Sequence, residues 1–456
     1  MPWRPLWVGL VLLVGLHSQT LGDTARPNFL VLLCDDLRWD CLGCTGHSLL
    51  RTPHIDRMAA HGVLFENAFV TTSICCISRA SYLTGQYARR HAIADFNTPL
   101  SPEVLAETYP AVLKRAGYRT GCFGKWGLGG TEPRELFDVW DAWGGQGEYF
   151  HKVNGESVHN SEYLAQKTEQ FLRSQPAGDP FCLLVYYKSP HDPLQPDPRD
   201  AELFREDRIE PPKTATPDAF ERLPEFIRQS EGRLRAQKAH PDAASYQEFV
   251  KQYLRLVAGV DRSVGRIQSL LDELGLADQT VVVFSSDNGF FLGERGLSHK
   301  WLMHEESIRV PLIIHDPRLA ATHRGRKRTE LVLNLDVAPT LLDLAGAPIP
   351  LRMDGRSLKP LLQGESPNWR SDFFYEHHFH YGGKIPRTEG VRSRDWKYIT
   401  YFDVSPGFEE LYDLARDPQE TRNLALIPEY REKLDELKRR HREFTKTLGP
   451  AVLPKN

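Results

Sequence analysis

Two pairs of oxygen-bearing side chains follow two apolar segments of this chain. Asp35-Asp36 comes directly after NFLVLLC, and Asp287-Asn288 comes directly after VVVFSS. Such runs are typical of buried parallel strands, and ligands of a doubly wound sheet lie beyond the carboxyl ends of its strands. The four side chains are hard oxygen ligands, which suit Ca²⁺, with Mg²⁺ as the less favoured choice. A strand-end Asp can also cap a helix, but both pairs together, in a chain that carries the cysteine segment described below, favour a metal.

Basic side chains follow the same logic. Lys125 ends the run TGCFGK, His191 follows FCLLVYYKSP, and Lys300 comes shortly after the second oxygen pair. Taken singly, each is a surface charge or a histidine with its hydrogen bonds satisfied. Together with Arg79 they would form a cationic pocket over the metal, which matches a tetrahedral, multiply charged oxyanion.

The elements that must position these side chains alternate between strands and helices. The apolar runs and periodicities predict strands over residues 28–34, 63–70, 120–124, 181–187, 280–285, 310–314 and 331–333. They predict helices over residues 54–62, 78–83, 109–116, 162–174, 246–274 and 337–344. This alternation favours an α/β fold with a large mixed, mainly parallel sheet and helices on both faces.

The chain changes texture twice. Residues 193–244 are polar and rich in proline, with a basic stretch over 228–238, and we expect a surface excursion or the rim of a substrate cleft. Beyond residue 364, short strand-like pieces precede a charged terminal helix. We therefore predict a catalytic domain over 25–364 and a small C-terminal subdomain over 365–456, with an antiparallel sheet and a helix.

The N-terminus predicts export. Residues 1–24 have one Arg, then an apolar stretch over 6–16, then small and polar residues. This order indicates a signal peptide cleaved between residues 18 and 25. The apolar run is shorter than the roughly 20 residues of a spanning helix, so we expect no stable membrane span. A net charge of −3 gives no broad field for nucleic acid. We predict a secreted or periplasmic protein.

The cysteines include one segment of special interest. There are seven in all, and an odd number leaves at least one unpaired within the chain. Cys41 and Cys44 form a C-x-x-C pair, but no second pair completes a zinc site.

Residues 75–79 read Cys-Cys-Ile-Ser-Arg and continue into ASYLTG. This segment resembles the C-x-P-S-R and A-S-x-L-T-G signature of type I sulfatases, which belong to the alkaline phosphatase superfamily.

The resemblance extends over nearly the whole mature length. Its segments, in the family's order, are NFLVLLCDD, TPHIDRMAAHGVLFENAF, the Cys75 run, AGYRTGCFGKWGLG, KSPH, VVVFSSDNG, KWLMHEESIRVPLII, DVAPTLLDLAG and ELYDLARDPQETRNL. The paired cysteines and SRASYLTGQY are similar to the glucosamine-6-sulfatase and arylsulfatase branch. The resemblance implies that a formylglycine-generating enzyme oxidises Cys75 to formylglycine, whose hydrated aldehyde is the nucleophile.

The resemblance also implies a role for each candidate residue. The family's calcium ligands fall on Asp35, Asp36, Asp287, Asn288 and residue 75. Arg79 would steady the hydrated aldehyde, and Lys125 and Lys300 would bind sulfate oxygens. His191 would bind the sulfate and could protonate the leaving alcohol.

Two positions depart from the family pattern. Gly127 stands where many members have a histidine that helps the sulfated intermediate collapse, and Ile77 stands where they have proline. His91, His299 or His304 could supply an imidazole, but nothing in the sequence places any of them. Isoleucine shares only part of proline's bias towards an extended segment, so Ile77 bears on how well Cys75 is converted.

Three functions remain open from the sequence. The first is an exported, calcium-dependent sulfatase acting on a sulfated glycan. The second is a phosphodiesterase or phosphonate hydrolase of the same superfamily, and the third is a catalytically silent protein that binds sulfated glycans. The Gly-rich stretch around residues 138–151 could form an aromatic sugar platform, or its rings could pack in the core; the candidate aromatic residues are Trp126, Trp140, Trp143, Tyr149 and His151.

Overall fold

The computed structural model describes residues 26–130, 132–365 and 368–454, together with Met1 and Trp3. The predicted signal peptide, with its cleavage site, lies outside the described residues apart from Met1 and Trp3. Within the described ranges, no helix has the length and apolar character needed to cross a membrane.

The described strands and helices agree closely with the predicted elements. The strands are β1 (Asn28–Cys34), β2 (Val63–Phe69), β3 (Arg119–Lys125), β4 (Val139–Trp143), β5 (Phe150–Val153), β6 (Glu156–His159), β7 (Phe181–Tyr186), β8 (Thr280–Ser286), β9 (Phe291–Leu292), β10 (Ser298–His299), β11 (Arg309–His315), β12 (Arg326–Arg328), β13 (Val332–Leu333), β14 (Asp372–His377), β15 (Thr388–Ser393), β16 (Trp396–Tyr401) and β17 (Phe408–Asp413). The helices are α1 (Pro53–His61), α2 (Cys75–Thr84), α3 (Ala88–His91), α4 (Pro102–Ala106), α5 (Tyr109–Arg115), α6 (Asn160–Arg173), α7 (Pro217–Glu221), α8 (Glu225–Arg228), α9 (Glu231–Ala239), α10 (Ala243–Glu273), α11 (Glu305–Ile308), α12 (Val337–Ala345), α13 (Lys359–Leu362) and α14 (Arg431–Leu448).

One large sheet carries the ends of the predicted site strands. Its order is β12-β2-β11-β8-β1-β7-β3-β4, with β13 also paired to β2. Strand β1 is central and runs parallel to β7 and β8, while β11 runs antiparallel to both of its neighbours. The sheet is therefore mixed and mainly parallel, and the predicted fold class is confirmed.

Both faces of this sheet are covered, which explains why β1 is a continuous apolar run. Leu30 and Leu32 point into a core shared with α1, α6 and α10, while Val31 and Leu33 point into a core shared with α2, α5 and α12. Side chains of a strand alternate between its two faces, so a strand covered on both sides has no polar positions. The polar residues appear only where β1 ends.

The C-terminal sheet, with order β14-β15-β16-β17 and helix α14 against it, helps to position the segment after Lys300. The Tyr375 hydroxyl donates to the carbonyl of Trp301 at 2.9 Å, and the Lys397 ammonium donates to the carbonyl of Met303 at 2.8 Å. Lys397 is buried and also pairs with Glu305 at 2.9 Å. This smaller sheet is as predicted, while the domain boundary at residue 364 stays a prediction.

One local expectation needs correction. The predicted helix over 78–83 begins three residues earlier, at Cys75, so the cysteine segment is the first turn of α2 rather than a loop before it. The polar stretch over 193–244, expected to be a surface excursion or the rim of a cleft, contains the helices α7, α8 and α9. Helix α9 packs against β10, directly before Lys300.

Candidate active site

The two oxygen pairs meet because their strands are neighbours in register. Cys34 of β1 lies opposite Ser286 of β8, which places Asp35 beside Asp287. The backbone N–H of Asp36 donates to the Asp287 carboxylate at 3.2 Å, and the Asn288 amide donates to the Asp36 carboxylate. Asp36 has φ 71°, a left-handed conformation that Asp tolerates better than most residues. This turn directs both aspartates of the pair into the same cluster.

The cluster has the donor set of a cation site. Carboxylate oxygens of Asp35, Asp36 and Asp287 lie within 4.8 Å of one another, and all three residues are buried. The side-chain oxygen of Asn288 is also buried and has no hydrogen-bond partner. Burial raises the pKa of Asp36 to about 6, and burial together with the Asp35 charge raises the pKa of Asp287 to about 7. Buried carboxylates this close to one another repel unless a cation is placed among them.

Cys75 lies beside this cluster, at the first position of α2. Its Sγ is 3.3 Å from the Asp35 carboxylate and 3.4 Å from the Lys300 ammonium, and the residue is 1% exposed. Ile74 is the N-cap of this helix and makes no side-chain hydrogen bond, so no capping side chain occupies the backbone N–H groups of the first turn, where residue 75 lies. The positive end of a helix stabilises negative charge there. Burial, and next the Asp35 charge, raise the pKa of the Cys75 thiol to about 12.

Arg79 follows one helical turn after Cys75 and is fully buried. Its Nε donates to the Asp287 carboxylate at 2.8 Å, and its Nη2 lies 3.3 Å from the Asp35 carboxylate. A third guanidinium nitrogen, Nη1, donates to the backbone carbonyl of Lys125. The spacing from Cys75 to Arg79 thus places both residues on one face of α2, against the carboxylate cluster.

Lys125 and Lys300 each contact one aspartate of the first pair. Lys125, the last residue of β3, donates to Asp35, and Lys300 donates to the two oxygens of Asp36 at 2.5 and 2.8 Å. Burial raises the pKa of Asp35, but the nearby bases, Lys125 first and Arg79 among them, outweigh burial and hold that pKa far below its usual range. Opposed charges at this spacing fix the ammonium groups around residue 75.

His191 follows β7 and lies near Asp36. Its Nε2 is 3.8 Å from the Asp36 carboxylate, and its Nδ1 donates to the backbone carbonyl of Asp192 at 2.5 Å. The Nδ1 contact assigns the proton to that nitrogen and leaves Nε2 facing the cluster. Burial, and next the charge on Lys300, lower the pKa of His191 well below its usual value.

The structure therefore brings all the predicted site residues together; they are Asp35, Asp36, Cys75, Arg79, Lys125, His191, Asp287, Asn288 and Lys300. Gly127, with φ 73°, passes so close that a Cβ there would lie 3.0 Å from Arg79 Cδ. Backbone and space both favour glycine, so no imidazole comes from this position.

The three candidate imidazoles have different surroundings. Both nitrogens of His91 are engaged, one with the Ser81 hydroxyl at 3.1 Å and one with the Ile93 N–H at 3.1 Å. His304 is fully buried, and neither nitrogen has a partner. His299 lies next to Lys300, with Nε2 3.0 Å from the Asp192 carboxylate. Of the three, His299 is the one tied to the His191 segment.

Sequence reasoning missed several residues around the site. Gln146 accepts a hydrogen bond from Lys125 at 2.6 Å, and Lys188 donates to the Gln146 carbonyl at 3.2 Å. Gln146 belongs to the Gly-rich stretch that could form a sugar platform, and Lys188 belongs to the KSPH segment. The sequence therefore marked both segments, although it did not mark these two residues. Trp126 and Tyr149 are buried, at 2% and 1% exposure, which favours packing over a platform for these two rings.

The comparisons with known proteins agree with this geometry. Residues 27–347 match the sulfatase family, and residues 293–447 match the C-terminal region of N-sulphoglucosamine sulphohydrolase. The chain belongs to the sulfatase family. Membership places this sulfatase in the alkaline phosphatase superfamily and gives its reaction class, the hydrolysis of sulfuric esters.

Curated relatives are similar along most of their length. The N-acetylglucosamine-6-O-sulfatase of Bacteroides thetaiotaomicron is 30% identical over 484 aligned positions, which cover 91% of this sulfatase and 85% of that protein. An arylsulfatase of Clostridium perfringens is 27% identical, over 91% and 93% of the two chains.

Two solved structures bear on substrate class. One, of a protein in complex with its substrate D-glucosamine-2-N,6-O-disulfate, superposes with a TM-score of 0.83 at 28% identity, and the match covers 93% of this chain and 98% of that one. The phosphonate monoester hydrolase of Silicibacter pomeroyi superposes with a TM-score of 0.79 at 25% identity, over 94% and 96%. The same scaffold therefore occurs with sulfate and with phosphonate esters.

Proposed function

We propose that this sulfatase hydrolyses sulfate esters of a sulfated glycan, using formylglycine made from Cys75 and a calcium ion. The observation that carries the proposal is the position of Cys75. It lies at the positive end of α2, within 3.4 Å of both an aspartate of the carboxylate cluster and the Lys300 ammonium. An oxygen nucleophile at residue 75 would meet a metal on one side and sulfate-binding cations on the other.

The residues present fit a hard divalent cation. Three buried carboxylates converge, and the unpartnered oxygen of Asn288 lies beside them with no other group to bind. Asp35, Asp36, Asp287 and Asn288 would hold the ion, and an all-oxygen donor set favours Ca²⁺ over softer metals. The bound ion would act as a Lewis acid that lowers the pKa of an attacking oxygen and neutralises charge on the sulfate.

The protein's own side chains supply orientation and charge around the ester. Lys125 and Lys300 flank residue 75 and would bind the non-bridging sulfate oxygens, where negative charge persists through the reaction. Arg79, fixed by Asp35 and Asp287, would hold an oxygen of the hydrated aldehyde in place. His191 has Nδ1–H committed to a carbonyl, so its Nε2 faces the ester. Once Nε2 has taken up a proton from solvent, it would be the atom that passes that proton to the leaving alcohol.

Formylglycine answers the need for turnover. A hydrated aldehyde carries two oxygens on one carbon, so one can bond to sulfur while the other later re-forms the carbonyl and releases sulfate. A serine or thiolate has no such internal exit. Because Cys75 is buried in the first turn of α2, a formylglycine-generating enzyme would have to act on the segment before it folds. Ile77, also buried, would affect that encounter rather than the finished site.

A direct assay separates this proposal from its phosphorus alternative. The purified protein should cleave an aryl sulfate and N-acetylglucosamine 6-sulfate, and should cleave the matching aryl phosphate and aryl phosphonate monoesters far more slowly. The sugar sulfate is chosen because relatives act on glucosamine derivatives. A strong preference for the phosphonate would favour the alternative that the phosphonate hydrolase likeness raises. If the protein binds sulfated glycans but turns over none of these esters, the hypothesis of a catalytically silent glycan-binding protein would be favoured.

We also propose that the protein is exported. The support is the sequence of residues 1–24, with an apolar core followed by small residues. N-terminal sequencing of the protein recovered outside the cytoplasm of its host should give a chain that begins between residues 19 and 26. A mature chain that keeps Met1 would contradict cleavage.

A further inference from the structure

Lys188 is a buried ammonium group beside the active site that contacts no carboxylate in the part of the chain that the structure describes. It follows β7 by two positions and is 2% exposed. Among the described residues, no carboxylate oxygen lies within 4.0 Å of its Nζ. Its contacts are the Gln146 carbonyl at 3.2 Å and the face of the Tyr149 ring, 5.1 Å from Nζ to the ring centre. A buried charge is expensive unless it is paired, so a second binding partner is expected.

The other lysines of the site differ in this respect. Lys125 is paired with Asp35, and Lys300 is paired with Asp36. Burial, and next the charge on Lys125, lower the pKa of Lys188. Asp35, Asp192 and Glu148 also act on it electrostatically, but from beyond ion-pair distance. Lys188 is therefore close to the sulfate-binding cations without taking part in their charge balance.

Gln146 links Lys188 to the predicted sulfate site. Its side-chain oxygen accepts from Lys125 at 2.6 Å, and its backbone oxygen accepts from Lys188 at 3.2 Å. Both acceptors belong to one residue, so a single glutamine bridges the two ammonium groups. Gln146 is exposed, and a Cβ on the preceding Gly145 would meet nothing within 4 Å. The tip of this loop is thus held by the two lysines and faces solvent.

We propose that Lys188 binds a second anionic group of the substrate, a sulfate or a carboxylate on the same sugar as the ester held by Lys125. The inference rests on the proposed function. The two oxygens of Gln146 mark where two substrate oxygens would lie, and the glycines on either side allow the loop to move aside. Because one glutamine bridges the two ammonium groups, we place the second anion on the same sugar residue rather than on the next one.

The neighbours of Lys188 keep its position fixed. Its backbone N–H donates to the Asn160 side chain at 3.3 Å. Tyr149, which lies under the ammonium group, donates its hydroxyl to the carbonyl of His191 at 2.5 Å. The second anion would therefore be bound at a defined distance from His191, so Lys188 would select which ester of a multiply charged sugar is presented for cleavage.

The test is Lys188→Gln, with Lys152→Gln as the control. Glutamine keeps a donor for the Gln146 carbonyl and removes the charge, and Lys152 is an exposed lysine of β5 with no contact to the site. Three sugars are compared: N-acetylglucosamine 6-sulfate, glucosamine 2-N,6-O-disulfate and a monosulfated hexuronate. An aryl sulfate measures the reaction without a sugar. The quantities are kcat, KM and the ratio of kcat/KM between doubly and singly charged sugars.

For Lys188→Gln we expect that ratio to fall about 10- to 100-fold, mainly through KM, as for the loss of one charge-assisted hydrogen bond. A fall with the disulfate but not the hexuronate would assign the site to sulfate, and the reverse would assign it to a carboxylate. Lys152→Gln should leave the ratio unchanged. An unaltered ratio in Lys188→Gln, or equal losses with every substrate including the aryl sulfate, would overturn the inference.

The same experiment separates this inference from the proposed function. If the parent enzyme, without any substitution, cleaves none of the sulfate esters, the proposed function fails. If it cleaves them but Lys188→Gln treats singly and doubly charged sugars as the parent does, only the second anion site fails. Thermal midpoints of both variants show whether a loss comes from unfolding, because a correctly folded Lys188→Gln should unfold close to the parent.

Discussion

Replacing Cys75 by alanine is expected to lower kcat/KM for an aryl sulfate by about 10,000-fold or more, comparable to the loss of a nucleophile in other hydrolases. The reason is positional, because the side chain of residue 75 lies between Asp35 and Lys300 and no other side chain of the first turn of α2 contacts both. Steady-state kinetics of the purified variant and parent give the ratio.

The matched control is Cys76→Ala, one residue further along α2. Cys76 is 0% exposed and belongs to the apolar core between α2 and the sheet. Its truncation should cost about 1 kcal/mol of stability through a small cavity, seen as a lower thermal midpoint, and should leave turnover nearly intact. If activity is instead lost in Cys76→Ala and kept in Cys75→Ala, the proposal is wrong about Cys75, and Cys76 would be the residue that carries the nucleophile.

Mass spectrometry of the peptide that contains residue 75 links this result to the modification. Formylglycine replaces the thiol by an aldehyde, so the parent peptide should have lost sulfur and should react with an aldehyde reagent. Fully unmodified cysteine in protein from its native host, together with no effect of Cys75→Ala on glycan binding, would favour the catalytically silent reading.

The sequence was informative where a residue's role depends on the end of a regular element. Asp35 and Asp287 could be placed together because each follows a fully buried apolar strand, and such strands lie side by side in a mainly parallel sheet. The structure adds that these strands, β1 and β8, are neighbours and in register. The cluster of carboxylates was therefore predictable before the fold was known.

The start of α2 was not predictable from local preference. Cys75, Cys76 and Ile77 are weak helix formers, so the pattern placed the helix start at Ser78. In the structure all three are buried, and tertiary packing against the core overrides the local preference. The result matters for chemistry, because only a helix that begins at Cys75 puts that residue at its positive end.

Contacts made by loops were the least predictable. The distance from Lys188 to Lys125 depends on the path of the loop that carries Gln146, and nothing in the periodicity of the chain fixes such a path. The position of Lys300 similarly depends on the C-terminal sheet, through the bonds of Tyr375 and Lys397 to the segment that follows it. Both arrangements rely on pairs of residues far apart in sequence.

The charges of the site suggest how substrate and metal are coupled. Three buried carboxylates, Asp35, Asp36 and Asp287, are opposed by three buried cations, Arg79, Lys125 and Lys300. A divalent cation added to this neutral set would leave an excess positive charge, which is complementary to a sulfate ester and to the sulfate released. Lys188 would add to that excess and extend it towards a second anion.

Asp35→Asn is expected to lower kcat/KM by about 1,000-fold, because Asp35 serves three partners at once. Its carboxylate contacts Lys125, lies 3.3 Å from Arg79 Nη2 and 3.3 Å from Cys75 Sγ, and is one of the proposed metal ligands. Asparagine keeps the shape and removes one charge. The control is Asp40→Asn, whose carboxylate pairs with Arg38 at 2.7 Å outside the cluster and is partly exposed.

A calcium titration connects the loss to the metal. Chelation of the parent protein should lower its thermal midpoint, and Ca²⁺ should restore midpoint and activity at lower concentration than Mg²⁺, since a ligand that binds only the folded state stabilises it. In Asp35→Asn the Ca²⁺ concentration for half-maximal recovery should rise at least about 100-fold, while Asp40→Asn should respond as the parent does. If Asp35→Asn keeps the parent's calcium response and still loses activity, Asp35 does not hold the ion. Its role would then be to orient Lys125 and Arg79 around residue 75.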